Sequence, residues 1–180
     1  MNLLGHKNLL GNRAIKLPPW DSKLYFSATY MTSLKIGYST AERSYAQSFT
    51  IPYAGSYGIQ WFSIRASKQG THPTYSYIYA HIYSDDNGLP GTSLKYVKVQ
   101  QNYVGTIYTN MESFNFGGFA LNGLTKYWIV MTSSYTSTSY YYRIGYGGPN
   151  LHSPSNLALY SPWSIYSTYY AMYASFTFYI

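Results

Sequence analysis

Tyr75-Ser76-Tyr77-Ile78-Tyr79-Ala80-His81-Ile82-Tyr83-Ser84-Asp85-Asp86-Asn87-Gly88-Leu89-Pro90-Gly91-Thr92 decides the fold. Up to Tyr83 the stretch alternates strictly, with Tyr75, Tyr77, Tyr79, His81 and Tyr83 on one side and Ser76, Ile78, Ala80 and Ile82 on the other. That is the period of a half-buried β-strand. The small and aliphatic side suits a core; the other side is a ladder of phenol rings. Asp85-Asp86-Asn87-Gly88 supplies turn formers and Pro90-Gly91 predicts a second turn, so the strand ends in a defined loop.

Working outward, the flanking sequence repeats this theme. Strands are expected over 24–30, 34–38, 45–51, 57–66, 94–101, 111–116, 126–132, 140–146 and 170–180, separated by Gly, Pro, Asn and Ser punctuation. The Gly117-Gly118 pair reads as a break after the 111–116 strand, and 147–163, with Pro149, Pro154 and Pro162, reads as a long irregular connection. In the last strand Met172, Ala174, Phe176, Phe178 and Ile180 form one apolar face, which predicts a strand paired inside the molecule. The chain of 180 residues contains 25 Tyr and only 9% charged residues, where roughly a quarter is usual. Tyr and Thr fit the pleated surface of a sheet. Together these features predict an all-β chain folded as a two-sheet antiparallel sandwich of jelly-roll type.

The first residues differ in kind. Asn2-Leu3-Leu4-Gly5 recurs as Asn8-Leu9-Leu10-Gly11, and Leu17-Pro18-Pro19-Trp20 follows. Closely spaced glycines weaken a helix and Pro-Pro enforces an extended path. An extended N-terminal arm is therefore expected over residues 1–22 and the sandwich over 23–180. Leu3, Leu4, Leu9, Leu10 and Trp20 on such an arm call for a surface to hold them, either the chain's own domain or a neighbouring subunit.

Several function classes are excluded or disfavoured by what the chain contains. It has no Cys, so disulfides and thiol chemistry are absent. No apolar run reaches the roughly 20 residues of a membrane span, and the leucines of the arm are too interrupted for a secretory leader. Its formal charge of +7 comes from 12 basic against 5 acidic residues, so it reflects scarce acids more than massed bases. The densest basic stretch is Lys7, Arg13, Lys16 and Lys23. Paired-carboxylate catalysis needs two acids facing one bond, and Asp85 and Asp86 are neighbours whose side chains point apart in an extended chain. Neither Glu42 nor Glu112 is fixed opposite them by any spacing. His6, His72, His81 and His152 have no metal-ligand spacing, Asp85, Asp86 and Asn87 lack the distal Glu of a calcium loop, and no nucleotide-binding glycine loop or nucleophile elbow occurs. The expectation is a non-enzymatic protein with no catalytic, metal or cofactor site.

The tyrosines remain to be explained. Tyr75, Tyr77, Tyr79, His81 and Tyr83 on one strand and Tyr140 and Tyr142 on another form the expected contact surface, because a phenol couples a large apolar face to one polar tip at small entropic cost. Other subunits could bury these rings and sugars could stack on them. Nucleic acid, which needs Lys or Arg interleaved with the rings, is not an expected partner of a strand that contains neither.

Ala46-Gln47-Ser48-Phe49, the Ile82 to Thr92 loop, Leu124-Thr125-Lys126-Tyr127-Trp128-Ile129-Val130 and Tyr142-Arg143-Ile144-Gly145-Tyr146 jointly resemble, over about residues 41–180, a family of secreted and phage-borne β-sandwich modules of the choice-of-anchor or carbohydrate-binding-like kind. The resemblance implies the jelly-roll fold but no single activity. The chain is expected to depart from it in two ways, with the arm in place of a leader and no anchor after the sandwich. It is similar in architecture to viral coat, decoration and tail proteins. The expected role is thus a structural subunit of a virion or similar extracellular assembly, self-associating or bound to other particle subunits through the arm and the tyrosine faces; a carbohydrate-binding or host-adhesion module is the alternative.

Overall fold

A computed structural model of the chain describes residues 22–25, 32–39, 44–107, 111–147, 157–159, 163–167, 171–172 and 174–179. The arm lies outside these residues except for Ser22, and so do Leu3, Leu4, Leu9, Leu10 and Trp20. The described elements are β1 (Ser22–Tyr25), β2 (Thr32–Ile36), β3 (Ser44–Thr50), β4 (Ser56–Gln69), β5 (Tyr77–Asp86), β6 (Leu89–Gln100), a 3₁₀ turn (Gln101–Tyr103), β7 (Met111–Asn122), β8 (Lys126–Ser133), β9 (Tyr141–Gly147), β10 (Leu157–Leu159), β11 (Ser164–Ser167), β12 (Ala171–Met172) and β13 (Ala174–Tyr179). No α-helix occurs among them.

All pairings are antiparallel, and they form two sheets packed face to face. In the seven-stranded sheet β2 pairs β9, β9 pairs β4 and β4 pairs β7, while β13 lies between β1 and the first half of β4. The six-stranded sheet has the order β11-β10-β3-β8-β5-β6. From β2 to β9 the chain winds as two interlocked four-strand sets, β2-β9-β4-β7 and β3-β8-β5-β6, which is the jelly roll that the alternation and turn spacing imply.

The core forms where the inner faces meet. From the six-stranded sheet come Phe49, Ile78, Ala80, Ile82, Ile129 and Met131, and from the other Leu34, Ile36, Phe62, Ile64, Ile144 and Phe176, all buried. Phe176 of β13 meets Phe49 of β3 at 4.5 Å between ring centres and Phe62 of β4 at 5.0 Å. The apolar face of the last strand is as read from its sequence: Met172, Ala174, Phe176 and Phe178 are buried. Buried Gln47 also joins the sheets, its side-chain oxygen accepting the backbone N–H of Met172 at 3.3 Å.

Four local expectations are corrected. Asn87 and Gly88, with φ of 52° and 86°, make a two-residue hairpin between Asp86 and Leu89, so Asp85 and Asp86 belong to β5 and not to the turn. Pro90-Gly91 makes no second turn but lies inside β6, which tolerates a proline because it is the edge strand of its sheet. Gly117-Gly118 does not end β7: both residues have positive φ, and together they form a bulge. Opposite them, β4 pairs Ile59 with Phe119 and Trp61 with Asn115, leaving Gln60 out of register. The bulge changes the phase of β4, so that Tyr57 and Ile59 before it and Phe62, Ile64 and Ala66 after it all reach the core. Finally, the 147–163 connection contains β10, which pairs β3.

Truncating Phe176 removes the ring that touches both sheets. Phe176→Ala should lower stability by about 3–5 kcal/mol, read as a fall in the midpoint of urea unfolding; an unchanged midpoint would place the ring outside the core.

Candidate functional site

The alternation of β5 sends Tyr77, Tyr79, His81 and Tyr83 to the outer face of the six-stranded sheet, half-buried, while Ser76, Ile78, Ala80 and Ile82 are fully buried. Strand pairing brings neighbours alongside: His81 stands opposite Tyr96 of β6 and Val130 of β8, and Tyr79 opposite Lys98 and Thr132. The rings then form a continuous ladder. His81 stacks on Tyr79 at 5.7 Å, meets Tyr96 at 5.5 Å and takes Tyr83 edge-on at 5.9 Å, and Tyr77 extends the row from Tyr79 at 6.3 Å. Lys98 caps one end, its ammonium 4.4 Å from the centre of the Tyr77 ring. Tyr96 is 57% exposed and Tyr75, just before the strand, 74%.

Beside the ladder is an open cleft of about 280 Å³, walled by His81, Tyr83 and Trp163, with hydroxyls of Ser44, Thr132 and Ser133 at its margin. Trp163 precedes β11 and packs, with Tyr83, on the buried outer-face residues Ala46, Trp128 and Val130. Among the described residues no charged side chain lines this cleft. His81 donates to or accepts from Thr132 through Nε2 at 3.2 Å, and its other ring nitrogen is buried without a partner. Burial among the rings pushes the His81 pKa below the usual 6.5, so the imidazole is neutral at pH 7.

Asp85 is committed to the structure. One carboxylate oxygen accepts the indole N–H of buried Trp128 at 2.7 Å and sits 3.4 Å from the Lys126 ammonium, and the other accepts the Gly88 N–H at 3.1 Å. Lys126 also lies over the Trp128 ring, 5.2 Å from its centre. Asp85 thereby fixes both the hairpin and the tryptophan beneath the face. Asp86 accepts from the Asn87 amide. Among the described residues no group of His, Asp and Glu converges as metal ligands would.

The second expected ring pair divides. Tyr140 is half-buried, 5.3 Å from the His72 ring, but Tyr142 is fully buried and is not part of any contact surface. Ile144, two residues on in the same strand, shares the inward side, and the neighbours of Tyr142 are internal: its hydroxyl lies 3.1 Å from Ser76 Oγ, which lies 3.1 Å from His72 Nδ1. Burial pushes the Tyr142 hydroxyl up to about 12 and His72 down. Sequence reasoning also missed Tyr96, Lys98, Thr132 and Trp163. The first two alternate outward in Tyr96-Val97-Lys98-Val99 and could have been found by period; Trp163 lies far along the chain in an irregular stretch and could not.

No protein family and no curated protein matches the chain. Among the described residues no helix is long and apolar enough to cross a membrane.

Asp85→Ala should cost about 1–3 kcal/mol by leaving the indole N–H buried and unpaired; a thermal melt equal to that of the parent chain would show that Trp128 needs no acceptor. The histidines predict a pH dependence. Above 6.5 they are neutral in both folded and unfolded chains and contribute nothing. As pH falls below 6.5 the unfolded chain protonates while the folded one resists, so stability should decline. His81→Phe should flatten that decline in melts recorded from neutral to mildly acid pH, with His72 contributing to what remains; an equally steep decline would remove His81 as a cause.

Proposed function

We propose that this chain is a non-enzymatic jelly-roll subunit of a virus particle or similar extracellular assembly, in which copies of itself or other subunits cover the ring-bearing face of the six-stranded sheet. The observation behind this reading is the continuous ladder of Tyr77, Tyr79, His81, Tyr83 and Tyr96, on which Lys98 at one end is the cation placed over a ring among the described residues. Interface cores are depleted in charge and enriched in Tyr, and rings held by their neighbours lose little rotamer freedom on contact. With 9% charged residues the chain has few means of keeping an apolar face in water, and covering it is the simplest remedy. In the same proposal Leu3, Leu4, Leu9, Leu10 and Trp20 of the arm lie across a neighbouring subunit. This role accords with the resemblance to phage-borne sandwich modules.

A second reading is favoured by the cleft alone. Ring walls from Tyr83 and Trp163 with hydroxyls at the margin, and no charge among the described lining residues, suit one face of a neutral sugar, as in a carbohydrate-binding or host-adhesion module.

Light scattering of the native full chain distinguishes these readings. The assembly reading expects a large, closed species that Tyr79→Ser with Tyr96→Ser, or removal of residues 1–20, reduces to a folded monomer. A monomer at every concentration that binds neutral glycans on an array, and loses them on Trp163→Ala, would replace it with the adhesion reading.

A further inference from the structure

The outer face of the seven-stranded sheet has a different chemistry. Register places Lys35 of β2 directly opposite Arg143 of β9, and Arg143 opposite Ser67 of β4. Like charges facing each other in a ladder repel, yet neither cation meets a carboxylate among the described residues. Rings hold them instead. The Lys35 ammonium lies 3.9 Å from the centre of the Tyr38 ring and 5.7 Å from that of Tyr141. Tyr38 and Tyr141 meet edge to face at 5.0 Å. Arg143 donates to the Tyr141 hydroxyl at 3.3 Å, with its guanidinium carbon 5.8 Å from the same ring. Both cations are therefore positioned beforehand, which reduces what is lost in ordering them around a ligand. Ser67, in the same row, has a buried hydroxyl without a partner among the described residues.

The same face continues along β4. Beyond the bulge Trp61, Ser63, Arg65 and Ser67 share one side, and Trp61 is 38% exposed. Four residues of strand separate Trp61 from Arg65 by about 13 Å. Ser63 and Ser113 hydroxyls, 2.9 Å apart, lie between strands on this side. The result is a cationic end, a hydroxyl-lined middle and an exposed indole.

We propose that this face binds an anionic polysaccharide, with sulfate or carboxylate groups held between Lys35 and Arg143 and the sugar chain running along β4 toward Trp61. A repulsive cation pair without a counter-charge is the arrangement an incoming anion stabilises. Single-stranded nucleic acid fits less well, because its bases need free ring faces and the Tyr38 face is occupied by the Lys35 ammonium. This surface lies on the opposite sheet from the ring ladder, so the inference stands apart from the assembly reading.

The test uses the full chain with heparin as probe, and neutral dextran and oligo-dT as comparators. Heparin binding that weakens with salt is expected, with none to dextran. Lys35→Gln with Arg143→Gln should weaken it about tenfold or more and lower the slope of log K against log salt by about two. If the double variant fails to fold, acetylation of the parent chain answers instead: heparin should protect Lys35 and leave Lys95, on the other sheet, reactive. Absence of heparin binding at low salt, or undiminished binding by the folded double variant, overturns the proposal. So does loss of binding only in Lys7→Gln, Arg13→Gln, Lys16→Gln, which would assign it to the arm. Oligo-dT binding at least as tight and equally sensitive to Lys35 and Arg143 would make nucleic acid the partner and likewise overturn it.

Discussion

The contact between the Phe49 and Phe176 rings, 4.5 Å apart across the two sheets, is what the remaining structure depends on. Each ring belongs to a strand whose other neighbours follow from it. Phe176 lies in β13, between β1 and β4, and continues through Phe62 to Phe114 at 5.0 and 6.1 Å. Phe49 lies in β3, the strand that β8 and β10 flank. An interior without cysteine has only such packing, and polar ties such as Gln47 to Met172, to keep its layers together.

With the inner faces committed to that core, each outer face is left to its own side chains. Period-two alternation delivers one residue outward for each residue inward, so composition on the outside varies freely once the inside is set. On β5 the outward positions are rings, which pack on one another because Tyr96 of the edge strand completes the row. On β2 and β9 the outward positions are cations whose charge is held against rings rather than acids. A chain this poor in acids has one described ion pair of that ordinary kind, Lys126 with Asp85, and even there the carboxylate also serves an indole.

The sequence was most legible where alternation ran uninterrupted. From Ser76 to Tyr83 every side chain faces as its position implies, because nothing breaks the pleat. It was least legible where one residue altered the phase: simple alternation over 57–66 puts Tyr57 and Ile59 on the face opposite Phe62, whereas the bulge at Gln60 lets both sets be buried. Tyr142 was misread for a different reason, since abundance of tyrosine suggested a surface while Ile144 two residues on already marked that side as inward. Pro90 misled because proline signals a turn unless its strand is an edge, and edge position is a property of the assembled sheet. The candidate cleft was half legible: His81 and Tyr83 lay on the expected face, whereas Trp163 is brought to them only by the return of the chain through β10 to β3.

The bulge that pairs Gln60 with the Phe116 to Gly118 level of β7 links the lengths of two strands far apart in the chain. Deleting Gln60 alone would restore simple alternation along β4, with Tyr57, Ile59, Phe62, Ile64 and Ala66 on one inward side and Trp61, Ser63 and Arg65 still outward. The glycines opposite would then be surplus. An insertion or deletion in either strand is thus tolerable only when matched in the other, so this fold should vary in its loops while these two strands keep a common length.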